Sequence, residues 1–465
     1  MEFVDRIEEL KQLERVLNSD KYQAFVVVYG RRRLGKSTLI RKALSPNDVF
    51  YMAGDFIETV QLNLLKEQLS LKFPQIANLK FPGWEELLKM VNELANEKFT
   101  LCLDEFPYMV KHSPELPSVL QRLIDSKELK YNIIICGSSQ RMMHKLVLSY
   151  SEPLYGRANA IIHLQPIPIK YLQEVLGLNA VSTIEEYSVW GGVPRYWELR
   201  DEFFDLKDAI SDTMLSQMGV LYDEPRRLFL DDLSSAVQSE SLMSIIAAGA
   251  NRLSEIASRM GRDSTALSAP LDRLIQMNFI RREIPFGENP RNSKKGIYKI
   301  KDPFMNFYYT FIVGNMSNIG RGRKRMVMES IEKRMGEYVS AYWEVLCREA
   351  VTGNRLFGQL WGTASSWWGS LKVDNEIRQL EVDVVASSVD GGSVLLGECK
   401  WTNPEVASVL ISIIREKGEM LPFCRGKNVI PVLFLKHRPK DEDKIGDVNI
   451  LYPEDVIRLS YGDLH

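Results

Sequence analysis

The chain has 465 residues, 45% of them hydrophobic and 26% charged, and its 59 Lys+Arg against 61 Asp+Glu give a formal net charge of −2. This is a globular composition long enough for several domains, each with its own core. It excludes nucleic-acid binding through overall positive charge, so any basic surface must be local.

The opening residues, MEFVDRIEELKQLERVL, are charged and helical in pattern and do not read as a signal peptide. No apolar run approaches the length of a membrane span. Cys102, Cys136, Cys347, Cys399 and Cys424 form no CxxC pair and lie mostly in apolar runs, which reads as buried free thiols in a reducing, cytoplasmic compartment. Five scattered histidines argue against a zinc site.

Residues 24–38, AFVVVYGRRRLGKST, run a β-branched strand into GxxxxGKS from Gly30 to Ser37. Glycines let backbone wrap phosphates, and the helix that follows aims its N–H groups at them. Lys36 then reaches the β- and γ-phosphates of ATP, and Ser37 holds Mg²⁺. Residues 99–105, FTLCLDE, read as an apolar strand ending in Asp104, suited to Mg²⁺, and Glu105, suited to activating water. Further strands at 49–54, 131–139 and 159–166 alternate with helical segments, which predicts a parallel sheet with helices on both faces. Ligands of such sheets bind at the carboxyl ends of the strands, where these motifs sit.

In order, FVDRIEEL, GRRRLGKS, LCLDEF, CGSS, LYGR and GGVPRYW resemble the AAA+-type ATPases, specifically a family common in archaea and some bacteria and related to signalling ATPases. The resemblance implies a nucleotide site made of Gly30, Arg31, Arg32, Arg33, Leu34, Gly35, Lys36, Ser37 and Thr38. It places Asp104 and Glu105 as the second acidic motif and Ser138 or Ser139 as a polar sensor of the γ-phosphate. Arg157 either senses phosphate charge, across a homo-oligomer interface if supplied in trans, or pairs with a surface acid. Pro194 falls where related ATPases touch adenine, and Arg195 is either a sensor or a local ion-pair partner.

Residues 1–166 thus read as the ATPase core and 167–238 as a helical lid. Residues 239–312 read as a winged helix: helices near 241–250, 252–261 and from Ser264, then strands in IRREIPFG and GIYKIK. Gly261 suits the turn before the recognition helix. The wing, 281–301, carries seven basic residues and two acids, which suits either phosphate contact or intramolecular packing. Phe304 to Phe311 reads as core. Residues 313–335, with GRGRKR at 320–325, read as an exposed linker.

The remainder, 336–465, carries a strand LEVDVVA, a turn signal DGG at 390–392 and a return strand SVLLGECKW. Asp383 then meets Glu398 and Lys400, which share a face because they are two apart. Two carboxylates can hold Mg²⁺, and a lysine can stabilise the charge of a phosphodiester under attack. The layout resembles that of the PD-(D/E)xK nucleases, with Glu344 on the helix 338–351 as an extra metal-directed acid and with Val382 where proline often stands. The expected fold is α/β throughout: a P-loop AAA+ sheet with its lid, a winged helix, and a restriction-endonuclease-like domain. Two functions follow: an ATPase acting on DNA through a Mg²⁺-dependent nuclease, or an ATP-dependent switch whose winged helix and C-terminal domain only bind DNA or protein.

Overall fold

Residues 3–20, 23–232, 236–373, 376–403, 405–441 and 448–460 are described by the computed structural model. Strands β1 (Phe25–Tyr29), β2 (Val49–Met52), β3 (Thr100–Asp104), β4 (Asn132–Gly137) and β5 (Ala160–His163) form a parallel sheet in the order β2-β3-β4-β1-β5. Val26 and Val28 face one core while Phe25 and Val27 face another. Both faces are therefore covered, which explains why β3 and β4 are continuous apolar runs and do not alternate. The strand starts are pinned by side chains: Asn132 Oδ1 accepts from Ala24 N at 2.8 Å and Asn159 Oδ1 from Phe25 N at 2.7 Å. Because β4 lies between β1 and β3, its end sits between the two motifs that follow those strands.

The lid begins with the helices Ile169–Leu176, Ala180–Trp190, Pro194–Asp201 and Leu206–Thr213. Gly192 is required where it joins the core. A Cβ there would stand 2.1 Å from Ile167 O, and the two residues are already joined by Ile167 N–H to Gly192 O at 2.7 Å. Then come the helices Ala236–Ala247, Leu253–Met260 and Ser264–Gln276, followed by an antiparallel hairpin of β6 (Ile280–Glu283) and β7 (Ile297–Ile300), a winged-helix arrangement. Gly261 (φ +61°) ends the second helix in the left-handed region.

The segment expected as a linker is helical at Val313–Gly320 and again from Lys324, within a 28-residue helix, Lys324–Val351, that enters the last domain unbroken. Val327, Met328 and Ile331 lie on its buried face, while Arg323, Lys324 and Arg325 stay exposed. The charge run spans the exposed turn between the helix Met316–Gly320 and this one.

After a small hairpin of β8 (Arg355–Leu356) and β9 (Gln359–Leu360), a second sheet forms from β10 (Ser365–Val373), β11 (Glu376–Ser387), β12 (Ser393–Lys400), β13 (Asn428–Leu435) and β14 (Asn449–Leu451), in sequence order. Its first three strands are antiparallel and its last three parallel, with helix Ala407–Met420 bridging β12 and β13. The long helix packs beside this sheet through Trp343, whose ring lies 5.2 Å from that of Trp401.

Candidate functional site

Between β1 and the helix Lys36–Ala43 the chain makes a tight loop with Gly30 (φ +156°), Arg33 (φ +68°) and Gly35 (φ +83°) at positive φ. Lys36 is buried, and its Nζ donates to Gly30 O at 2.9 Å and Arg31 O at 3.1 Å, which holds the ammonium within the arc of the loop. Ser37 Oγ donates to Asp104 Oδ2 at 2.6 Å. A hydroxyl and a buried carboxylate side by side fit Mg²⁺, an oxygen-seeking cation that keeps waters and nucleotide phosphates as its other ligands. Glu105 is held at φ +52°, an uncommon conformation for a side-chain-bearing residue. Its Oε2 accepts both Ser138 N–H (3.1 Å) and Ser138 Oγ–H (2.9 Å). Ser139 instead caps the next helix, so Ser138 is the serine that faces the acidic pair. A cavity of about 310 Å³ opens beside the loop, lined by Phe3, Val4, Arg33, Leu34, Gly35, Thr38, Pro194 and Arg195 among others.

Of the three arginines of the loop, two reach the neighbourhood of Tyr196 and one turns away. Arg31 pairs with Asp302, just past β7, and donates to Tyr196 Oη at 3.2 Å. Arg32 donates to Tyr108 Oη at 2.9 Å, and Arg33 pairs with the buried Glu224 at 2.9 Å. Arg157 is not among the residues that the fold brings to the loop. It precedes β5, so it lies at the amino edge of the sheet, and both its Nε and Nη2 donate to Asp125 at 2.8 Å on the surface. Within one chain this arginine makes the surface pair. Arg195 likewise pairs with Glu198, one turn along its helix, at 2.9 Å.

In the second sheet, β11 and β12 bring Asp383, Glu398 and Lys400 to one end of the hairpin. Asp383 Oδ2 accepts from Cys399 N at 2.8 Å. Glu398 is gripped by two lysines, Lys400 Nζ at 2.9 Å and Lys417 Nζ at 3.0 Å. Burial alone raises its pKa, but the two ammonium groups outweigh this and hold it below the usual range. Burial, then the charge of Glu398, push Asp383 up to about 6. Burial, then Asp383, push Glu344 up to about 7. Among the described residues, no three His, Cys, Asp or Glu side chains converge as a ready ligand set. The two acids with raised pKa do fit a Mg²⁺ completed by water and substrate oxygens, because a cation relieves their mutual repulsion.

A family model described as an ATPase domain predominantly from Archaea matches residues 3–198. An uncharacterized protein of Methanocaldococcus jannaschii is 31% identical over 408 residues, which cover 86% of this chain and 87% of that protein. The chain belongs to this family of archaeal ATPases. An uncharacterized ATP-binding protein of the same organism is 52% identical over 42 residues, 9% of this chain and 70% of that protein. A MarR-family model matches residues 235–285 of the ATPase, and a model of archaeal and bacterial proteins of unknown function matches 308–411. Among solved structures, the Aeropyrum pernix ORC2 protein is 14% identical, covering 69% of this chain and 96% of its own, with a TM-score of 0.40. The Thermotoga maritima RuvB Holliday junction branch migration motor is 16% identical, covering 63% and 92%, with a TM-score of 0.33.

The wing of the ATPase is less available than its composition suggests. Arg281 and Lys299 pair with Glu283, Lys295 pairs with Glu288, and Arg282 donates to the carbonyls of Pro290 and Ser293. Its tip is docked: Phe286 N–H donates to Ser366 O at 2.9 Å, and the Phe286 ring meets Phe423 at 5.1 Å. By contrast Thr265, Ser268, Ala269 and Asp272 of the recognition helix are exposed. Among the described residues no helix is long and apolar enough to cross a membrane.

Sequence reasoning missed Lys417, Arg348, Asp302, Tyr196 and Glu224. Lys417 left a faint signal: it falls three residues after the buried Ile414, on the apolar stripe of its helix. Asp302 and Glu224 left none, because nothing local marks an acid as the partner of a loop 271 or about 190 residues away.

Proposed function

We propose that this protein couples ATP binding and hydrolysis to an action on DNA, with the C-terminal domain cutting phosphodiester bonds in the presence of Mg²⁺. In the first site, Lys36 neutralises phosphate charge, Ser37 and Asp104 hold the metal, and Glu105 orients water. Release of Glu105 from Ser138 frees its carboxylate for that task. The recognition helix offers its exposed face to the duplex. In the second site, Asp383, Glu398 and Glu344 supply metal-directed oxygens, and Lys400 stabilises the developing charge.

The observation that carries the nuclease reading is the meeting of Asp383 with Glu398 and Lys400 across adjacent strands, beside an acid from a different element, Glu344. A separate observation favours the non-nucleolytic switch: Glu398 is engaged by two lysines, which compete with a metal. Incubation with single- and double-stranded DNA and with RNA, in Mg²⁺ or Mn²⁺, with and without ATP, separates the two. Cleavage by the wild type that disappears in Asp383→Ala is expected. Cleavage that survives in Asp383→Ala, or none under any condition, leaves the switch.

A further inference from the structure

Arg348 stands where the wing meets the C-terminal site. It is 7% exposed. Its Nη1 donates to Asp383 O at 2.9 Å and lies 3.6 Å from Glu344 Oε2. Its Nη2 lies 3.8 Å from Glu283 Oε1 on β6 and makes no hydrogen bond among the described residues. One guanidinium is thus anchored to the strand of Asp383 and shared, at more than hydrogen-bond distance, between an acid of the site and an acid of the wing.

The sharing is unequal in what each acid would lose. Glu283 has two cations of its own on the same hairpin, Arg281 at 2.6 Å and Lys299 at 3.0 Å. If the wing withdraws, Glu283 leaves with its charge compensated, and Arg348 can close on Glu344. A buried charge left without a partner is costly, and this arrangement avoids leaving one.

The two ends of the hairpin touch the two sites. At its tip, Phe286 binds Ser366 O, in the stretch where β10 slips register between Ser365 and Trp367, opposite the segment of β11 that carries Asp383. Irregularities of this kind re-aim neighbouring side chains. At its root, two residues past β7, Asp302 pairs with Arg31 of the phosphate-binding loop. Both partners are buried, so the contact resists breaking unless another anion takes the guanidinium, and Asp302 Oδ1 then still accepts from Met305 N at 2.8 Å. The triphosphate of a nucleotide is such an anion.

We propose that Arg348 is a positioning residue of the C-terminal site, and that the wing controls it in response to nucleotide through Asp302 and Glu283. The inference rests on the nuclease reading above for its catalytic consequence, but not for its conformational one. Nucleotide draws Arg31 from Asp302, the wing leaves β10, and Arg348 turns from Glu283 to Glu344, holding Oε2 of that carboxylate and leaving its other oxygen for a metal beside Asp383, unlike Glu398, both of whose oxygens are taken by lysines.

Amide hydrogen exchange of the full chain, free and with a non-hydrolysable ATP analogue, tests the link. Exchange over 283–287 is expected to quicken at least tenfold with nucleotide, because the Phe286 amide loses its acceptor. In Asp302→Asn it should be fast in both states. Exchange in the wild type that ignores nucleotide overturns the control. For positioning, Arg348→Met should raise the Mn²⁺ concentration for half-maximal cleavage at least tenfold, with Arg348→Lys recovering part of it. Equal Mn²⁺ dependence in all three proteins overturns the assignment of Arg348. Nucleotide-dependent exchange without cleavage by any variant upholds the link and removes only the nuclease reading; Mn²⁺ affinity measured calorimetrically on Arg348→Met then decides the role of Arg348 by the same criterion.

Discussion

The phosphate-binding loop of this ATPase and the carboxylate cluster of its last domain are built in opposite ways. The first is a loop of eight consecutive residues, Gly30 to Ser37, whose lysine donates to carbonyls five and six residues behind it. The second draws Glu344 from a helix, Asp383 and Glu398 from two strands, and Lys417 from a further helix. A loop of backbone N–H groups needs little besides its own φ/ψ values to present charge to a phosphate. A cluster of carboxylates needs the whole domain to hold its members together, and its charges perturb one another. Burial first, and then a neighbouring carboxylate, raise the pKa values of Asp383 and Glu344.

Lys36→Ala is the most severe way to probe the contrast. Phosphate release from Mg-ATP is expected to fall at least about a hundredfold, as for the loss of a preorganised charge, with the melting temperature of the C-terminal domain unchanged. Turnover near the wild-type level would remove the assignment of the first site. The second site should respond to changes outside it. Partial burial raises the pKa of Glu283, yet Arg281, Lys299 and Arg348 together pull it down to about 2. A carboxylate depressed on folding contributes stability above its unfolded pKa of about 4.3 and loses it as pH falls towards the folded value. Glu283→Gln should therefore cost on the order of 3 kcal/mol at pH 7, and the deficit should vanish between about pH 5 and pH 2. Denaturant midpoints of both proteins across that range check it; a deficit independent of pH would point to shape instead of charge.

Lys417→Met removes one of the two cations on Glu398 and leaves Lys400 in place. A loss of about 1–2 kcal/mol is expected, the scale of a charged hydrogen bond, together with a higher pKa for Glu398 by carboxyl NMR. No movement of that pKa would show that Lys400 alone sets it. The smallest effect belongs to Arg157→Ala. Its partner Asp125 is half exposed, so stability should change by less than about 1 kcal/mol and ATP turnover should stay near the wild-type rate. A large loss of turnover would mean that Arg157 serves a neighbouring copy of the chain.

Much of the molecule could be read before it was seen folded. The β-branched strands, GRRRLGKS, the acidic end of β3 and the hairpin around residues 390–392 are local patterns, because each is fixed by neighbours within a few residues. The direction of Arg157 was not among them. It depends on which edge of the sheet residue 157 occupies, a property of strand order and not of LYGR. The wing was open for a related reason. Seven basic residues among 21 suit phosphate contact or intramolecular packing alike, and only the closed hairpin shows that Glu283, Glu288 and nearby carbonyls engage four of them, Arg281, Arg282, Lys295 and Lys299.

By itself, then, the sequence determined the backbone cradle for phosphate, the alternation of strands and helices, and the acid–acid–lysine set of the last domain. These follow from short-range sterics and periodicity. Only the tertiary structure decided the partners of the charged side chains: Arg31 with Asp302, Glu398 with Lys417, and Arg348 between Asp383, Glu344 and Glu283. A buried charge accepts whichever counter-charge the packing delivers, and packing is settled by the apolar surfaces of elements hundreds of residues apart.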